Sequence, residues 1–111
     1  MLTIGLVGPC TSGKSTVGEL LEKRGFNVRH IAQEHSFAKT MWKVISNPDV
    51  LVFLSVSYPI TLKRRNWKWT EDDYREQMRR LSHAREHADI VIDTDHLSPD
   101  EIVHLILSKL G

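Results

Sequence analysis

The chain is poor in cysteine, in aromatic residues and in net charge. Cys10 is the single cysteine of 111 residues, so no internal disulfide can form, and this fits a reducing cytoplasm. A net charge of +1 gives no electrostatic reason to expect a nucleic acid or a membrane surface as partner. No apolar run approaches the roughly 18 residues of a membrane span, and the amino-terminal residues lack the cationic-then-apolar layout of a secretion signal. Internal repeats and low-complexity segments are also missing. The remaining composition, 41% hydrophobic and 26% charged, is that of an ordinary globular protein expected to form one domain over residues 1–111.

One segment stands out from this background. Gly8-Pro9-Cys10-Thr11-Ser12-Gly13-Lys14-Ser15 fills every fixed position of the phosphate-loop pattern G-x-x-x-x-G-K-[ST]. Its context is also right, because the apolar run Ile4-Gly5-Leu6-Val7 precedes it and a helix-forming stretch from Ser15 to Arg24 follows. Gly8 and Gly13 allow turns closed to side-chained residues, so that consecutive N–H groups can face one concavity. The helix beginning near Lys14 aims its positive dipole end at the same place. Lys14 supplies an ammonium for the β- and γ-phosphates, and the Ser15 hydroxyl can ligate Mg²⁺. Residues 8–16, with Thr16 closing the loop, are therefore expected to hold ATP or another nucleoside triphosphate with Mg²⁺.

Short apolar runs alternate with helical spacing along the rest of the chain, which predicts a three-layer α/β/α domain with about four parallel strands. Strands are expected at 3–7, 26–32, 50–56 and 89–92. The second should lie at an edge, because polar Asn27, Arg29 and His30 interleave with Phe26, Val28 and Ile31. The third, almost wholly apolar, should be central. Helices are expected over 14–24, with Gly25 as C-cap, and from Pro59 to Arg65. A third runs from Glu71 to about His87, capped by Thr70 and Asp73, and a fourth follows Ser98-Pro99-Asp100-Glu101. A short helix from Ser36, stopped by Asn47-Pro48-Asp49, is expected to turn Phe37, Met41, Val44 and Ile45 inward. Ligands of such folds bind at the carboxyl ends of the strands. Eight basic residues fall between Lys63 and Arg85 against six in the preceding 62 positions, and a solvated helix face accounts for about half of them.

With the phosphate loop, three further segments resemble the nucleotide-kinase branch of phosphate-loop proteins, which includes adenylate, cytidylate, shikimate and deoxynucleoside kinases. Pro48 to Val56 followed by Leu62-Lys63-Arg64-Arg65 looks like their late strand entering an arginine-bearing lid, here about residues 59–88. Arg79 to Asp89 looks like the return helix, and Ile90 to Thr94 with Leu97 to Glu101 looks like the last strand, base loop and final helix. The resemblance implies that Arg64 and Arg65 neutralise the transferred phosphoryl group, and that Thr94, Asp95, His96 and Leu97 border the base.

The departures from the family are equally specific. These kinases have a further strand ending in a metal-holding acid, and no apolar run before Val50 ends in Asp, while the third strand ends at Ser55. Without that strand, the second would lie beside the first, and Glu34 would face the phosphate loop. In deoxynucleoside kinases a Glu at that place is the general base, so Glu34 is expected to accept the acceptor's hydroxyl proton or to hold Mg²⁺ with Ser15. His35 beside it is the histidine best placed to join the chemistry. Residues 35–47 are too few for the acceptor-clamping helices of an adenylate kinase, so the acceptor is expected to be small or held by a partner chain, as in a homodimer. His83 and His87 share a helix face but lack the Glu-bearing zinc pattern. Trp67 and Trp69 suit a lid hinge better than a stacking platform for single strands. The expected activity is a cytoplasmic kinase passing the γ-phosphoryl of Mg–ATP to a nucleoside, nucleotide or other hydroxyl compound. The alternatives are a regulatory nucleotide-binding module and a slow hydrolase of nucleoside triphosphates.

Overall fold

Ile4 to Val7 and Leu51 to Leu54 are the most thoroughly buried runs of the chain, and they lie side by side as the two central strands of one sheet. The computed structural model describes residues 2–110. Strands β1 (Thr3–Val7), β2 (Asn27–His30), β3 (Val50–Ser55) and β4 (Ile90–Asp93) pair in parallel in the order β2-β1-β3-β4. β2 is the edge strand and buries Val28 while Asn27, Arg29 and His30 stay exposed. It is shorter than its sequence pattern suggests, since Phe26 falls outside the ladder and Ile31 adds only its N–H, donated to the Leu6 carbonyl at 3.2 Å.

Helices α1 (Lys14–Lys23) and α4 (Pro99–Leu110) cover one face of the sheet. Val17, Leu21, Ile102, Val103 and Ile106 pack there on Ile4, Leu6, Val52, Leu54, Ile90 and Ile92. Helix α3 (Glu71–His87) covers the other, where Leu81 and Ala84 join Val7, Ile31, Trp42, Leu51 and Phe53. This gives the three-layer α/β/α arrangement expected from the alternating pattern. Thr70 begins α3 with both halves of a capping box, its hydroxyl accepting from the Asp73 N–H at 3.1 Å and its own N–H donating to the Asp73 carboxylate at 2.9 Å. Helix α2 (Tyr58–Arg64) is a short stretch with Pro59 in its first turn.

The segment between β2 and β3 departs from its sequence pattern. It forms a 3₁₀ turn at Gln33–His35 and a π-type turn at Trp42–Ser46 rather than one helix from Ser36. Phe37, Val44 and Ile45, expected inside, are 82%, 79% and 74% exposed, whereas Trp42 is buried. Gln33 explains the difference. Its fully buried side chain donates to the Ala38 carbonyl at 2.8 Å and accepts the Trp42 N–H at 3.0 Å, thereby crosslinking the segment. Backbone groups captured by a side chain are withdrawn from a continuous helical ladder.

β1 leads outward to β2 on one side, and the chain then returns past β1 to β3 on the other. The order therefore reverses between β1 and β3, and open parallel sheets hold ligands at such a reversal. Residues 8–13 and Ser55 to Ser57 emerge at those two carboxyl ends.

Candidate active site

The turn after β1 is shaped by contacts that only particular residues allow. A Cβ on Gly8 would lie 2.3 Å from the Leu54 carbonyl oxygen, so the loop can cross the end of β3 only with glycine there. Thr11 and Gly13 adopt φ of 69° and 94°, and Gly13 is the N-cap of α1. Left-handed positions alternating with right-handed ones curl successive amides toward one side, the geometry of an anion-binding nest. Ser12 closes the turn by donating its N–H to the Pro9 carbonyl at 3.1 Å.

Lys14 opens α1 and reaches back over this turn. Its ammonium donates to the Gly8 carbonyl at 2.5 Å and forms an ion pair with the Glu34 carboxylate. Glu34 sits on the 3₁₀ turn after β2 with a side chain only 6% exposed, and it arrives there because β2 pairs directly with β1. Glu34 Oε1 is buried without a hydrogen-bond partner, as are Thr11 Oγ1 and Ser12 Oγ. His35, mostly exposed, places Nε2 3.8 Å from the Glu34 carboxylate.

These residues frame two adjoining recesses. One, of about 310 Å³, is lined by residues 10–16 with Glu34 and Arg65. The other, of about 280 Å³, lies between Lys14 and Ser15 on one side and residues 30–32, Glu34 and His35 on the other. A larger apolar groove of about 370 Å³ runs along α4 and, of the candidate residues, touches only Leu97.

The two arginines at the end of α2 take different places. Arg65 lines the phosphate-loop recess, its guanidinium 4.6 Å from the centre of the Trp67 ring. Arg64 donates to the Thr11 carbonyl at 2.9 Å, to the Thr94 hydroxyl at 3.1 Å and to the Thr94 carbonyl. It thus joins the phosphate loop to the loop after β4. A smaller recess of about 160 Å³ lies there, between residues 11–13 and Thr16 on one side and Leu97 and Pro99 on the other. Thr94 is fully buried, with its hydroxyl donating to the Ser55 carbonyl at 2.8 Å. Asp95 accepts the Ser57 N–H at 2.8 Å, and His96 is exposed. Trp67 and Trp69 stack at 4.2 Å, and Trp69, 8% exposed, donates its indole N–H to Thr61 at 3.0 Å.

Near these loops, burial pushes the Tyr74 hydroxyl above its ordinary value, reinforced by the Asp95 carboxylate and opposed by Arg85. The hydroxyl remains protonated and donates to the Val56 carbonyl at 2.7 Å.

Sequence reasoning missed two residues of α3. Gln77 accepts the Cys10 N–H at 3.0 Å and donates to the Cys10 sulfur at 3.1 Å. Arg80 approaches the Glu34 carbonyl at 3.5 Å, pairs with Glu76 at 3.4 Å and lies 4.1 Å over the Phe37 ring. Both lie within the charged helix whose pattern reads as a solvated face. Only the packing of α3 over the 3₁₀ turn brings them to the site.

A family model described as an AAA domain matches residues 4–101. The chain belongs to the AAA domain family. Its fold is that of phosphate-loop kinases. The chain overlays the YorR protein of Bacillus subtilis, solved in complex with phosphorylated GDP, with a TM-score of 0.69 and 17% identity, covering 97% of this chain and 95% of that one. It overlays shikimate kinase from Aquifex aeolicus with a TM-score of 0.60 and 20% identity, covering 98% and 96%. No curated protein matches this chain in sequence. No helix among the described residues is long and apolar enough to cross a membrane.

Proposed function

We propose that this AAA domain is a small phosphotransferase, which binds a nucleoside triphosphate on residues 8–16 and passes its γ-phosphoryl to a small acceptor beside Glu34. The observation that carries the reading is the Lys14–Glu34 pair, a cation and a buried carboxylate meeting between the two adjoining recesses. A phosphate-loop lysine serves the β- and γ-phosphates, and a carboxylate within reach of the second recess can take the acceptor's proton.

Ser15 and Glu34 fit a magnesium ion, since both line the phosphate-loop recess and Glu34 keeps an unpartnered buried oxygen. When bound, the ion would neutralise charge shared by the β- and γ-phosphoryl groups. The protein's own residues supply the rest. Lys14 exchanges its carboxylate partner for phosphate oxygens when nucleotide enters, and Glu34 Oε2, the oxygen it leaves, can then receive a proton. Arg65 lies where it can meet charge on the transferred group, whereas Arg64 ties the phosphate loop to Thr94 and bounds the recess for the base. The YorR complex with phosphorylated GDP supports a purine nucleotide as one ligand of this fold. The recess of about 280 Å³ suits an acceptor no larger than a nucleoside.

The test is a panel of nucleosides, nucleotides and small alcohols mixed with the protein and Mg–ATP, with ADP formation followed. Acceptor-dependent ADP that disappears in Lys14→Ala supports the proposal. ADP formed equally without acceptor identifies a hydrolase, and tight nucleotide binding without turnover identifies a regulatory module.

A further inference from the structure

The geometry points to a site for a soft divalent cation of the zinc type, formed by Cys10, Glu34 and His35 at the rim of the phosphate loop. One ligand atom from each of the three residues lies within 4.8 Å of the other two. Cys10 Sγ and His35 Nε2 are 3.9 Å apart, and His35 Nε2 is 3.8 Å from Glu34 Oε2. Zinc bonds of about 2.0–2.3 Å in a tetrahedron put sulfur, nitrogen and oxygen ligands roughly 3.4–3.6 Å apart. The two spacings to His35 need to close by a few tenths of an ångström, and the spacing of Cys10 to Glu34, bounded at 4.8 Å, by about an ångström at most.

Separate parts of the fold hold the two halves of this cluster. Gln77 grips Cys10 through both its N–H and its sulfur. Gln33, fully buried, fixes the turn that carries Glu34 and His35. The Glu34 carboxylate is almost fully enclosed, and its Oε1, the oxygen offered to magnesium above, has no hydrogen-bond partner and is open to either ion. The donor set of sulfur, imidazole and carboxylate selects zinc over magnesium, which prefers oxygen alone.

Among the described residues no other group of three such side chains converges. His83 and His87 stack at 4.2 Å, but their Nδ1 atoms are engaged by the Trp42 indole N–H and the His83 carbonyl. On binding, the Cys10 thiol would release its proton to solvent, and the ion would displace Lys14 as partner of Glu34. A site so loaded is closed to the role proposed for Glu34 above, so the ion would act as a reversible inhibitor. The inference goes beyond that role, and cobalt binding can fail while nucleotide binding stands.

The experiment titrates the nucleotide-free full chain with Co²⁺, a spectroscopic stand-in for zinc. It follows sulfur-to-cobalt charge-transfer absorption together with the visible bands of tetrahedral cobalt. One saturable equivalent is expected, displaced by Zn²⁺ and not by excess Mg²⁺. Cys10→Ser should abolish the charge-transfer signal, His35→Ala should weaken binding about tenfold or more, and His83→Ala should leave it unchanged. Lys14→Met should tighten binding by removing the competing cation, a gain that general damage to the fold does not produce. The inference is overturned by absence of the charge-transfer band, by its persistence in Cys10→Ser, by its loss in His83→Ala, or by weaker binding in Lys14→Met.

Discussion

Lys14 and Glu34 are paired across the phosphate loop although 20 positions separate them, and both side chains are largely withdrawn from water. A charge pair in such a place is costly to break by removing one member. Under the proposed function its value lies in exchange, because an incoming polyphosphate would offer the lysine a better partner and leave the carboxylate as a base. Glu34→Gln keeps the shape and one acceptor oxygen while removing the charge. Nucleotide affinity, measured by calorimetry, should survive, while acceptor-dependent turnover falls at least about tenfold. Unchanged turnover would remove Glu34 from the chemistry.

Adjacent arginines with different surroundings should fail differently. Arg65 faces the phosphate-loop recess, so Arg65→Ala should lower kcat about a hundredfold with little change in KM for the nucleotide. Arg64 is held by Thr11 and Thr94, so Arg64→Ala should act chiefly on nucleotide KM. Steady-state kinetics on both variants tests the division. Equal losses of kcat would refute it.

Local rules account for what could be read without coordinates. The phosphate loop, the Thr70–Asp73 cap and the apolar run of β3 each depend on residues close in sequence, and each appears where its pattern points. The meeting of Glu34 with Lys14 follows from topology once β2 is taken to neighbour β1. The segment after Glu34 resisted such reading. Phe37, Met41, Val44 and Ile45 imitate a helical stripe, but a single buried amide, Gln33, decides the path and buries Trp42, which lies off that stripe. Side-chain capture of distant backbone groups leaves no periodic trace. The same is true of Gln77 and Arg80, whose contacts with Cys10 and Glu34 come from packing of α3 rather than from any spacing within it.

A side chain on Gly8 would meet backbone rather than a movable side chain. The neighbouring atom is a carbonyl oxygen of β3, which cannot rotate away. Gly8→Ala should cost about 1–3 kcal/mol of stability in urea unfolding and should weaken nucleotide binding through displacement of the loop. Gly13→Ala is a useful contrast. No atom lies within 4 Å of a Cβ there, so its cost comes from the φ of 94° alone and should be nearer 1–2 kcal/mol, as roughly expected for one side-chained residue in the left-handed region. A Gly8→Ala protein as stable as its parent would contradict the close approach of the loop to β3.

The start of α4 supplies a pH-dependent prediction away from the candidate active site. Glu101 accepts the Ser98 N–H at 2.9 Å, and the Ser98 hydroxyl accepts the Glu101 N–H at 3.2 Å. The Ser98 backbone first, and then its side chain, holds the Glu101 carboxyl below its ordinary value of 4.5. A carboxyl whose folded pKa lies below its unfolded one stabilises the fold above the unfolded value, and that contribution disappears as pH falls through the folded pKa. Glu101→Gln should therefore lower Tm at neutral pH, and the gap between variant and parent should narrow as pH drops below 4.5. Thermal unfolding across an acid series measures the effect. A gap that stays constant down the series would mean that the charge on Glu101 contributes nothing to the cap.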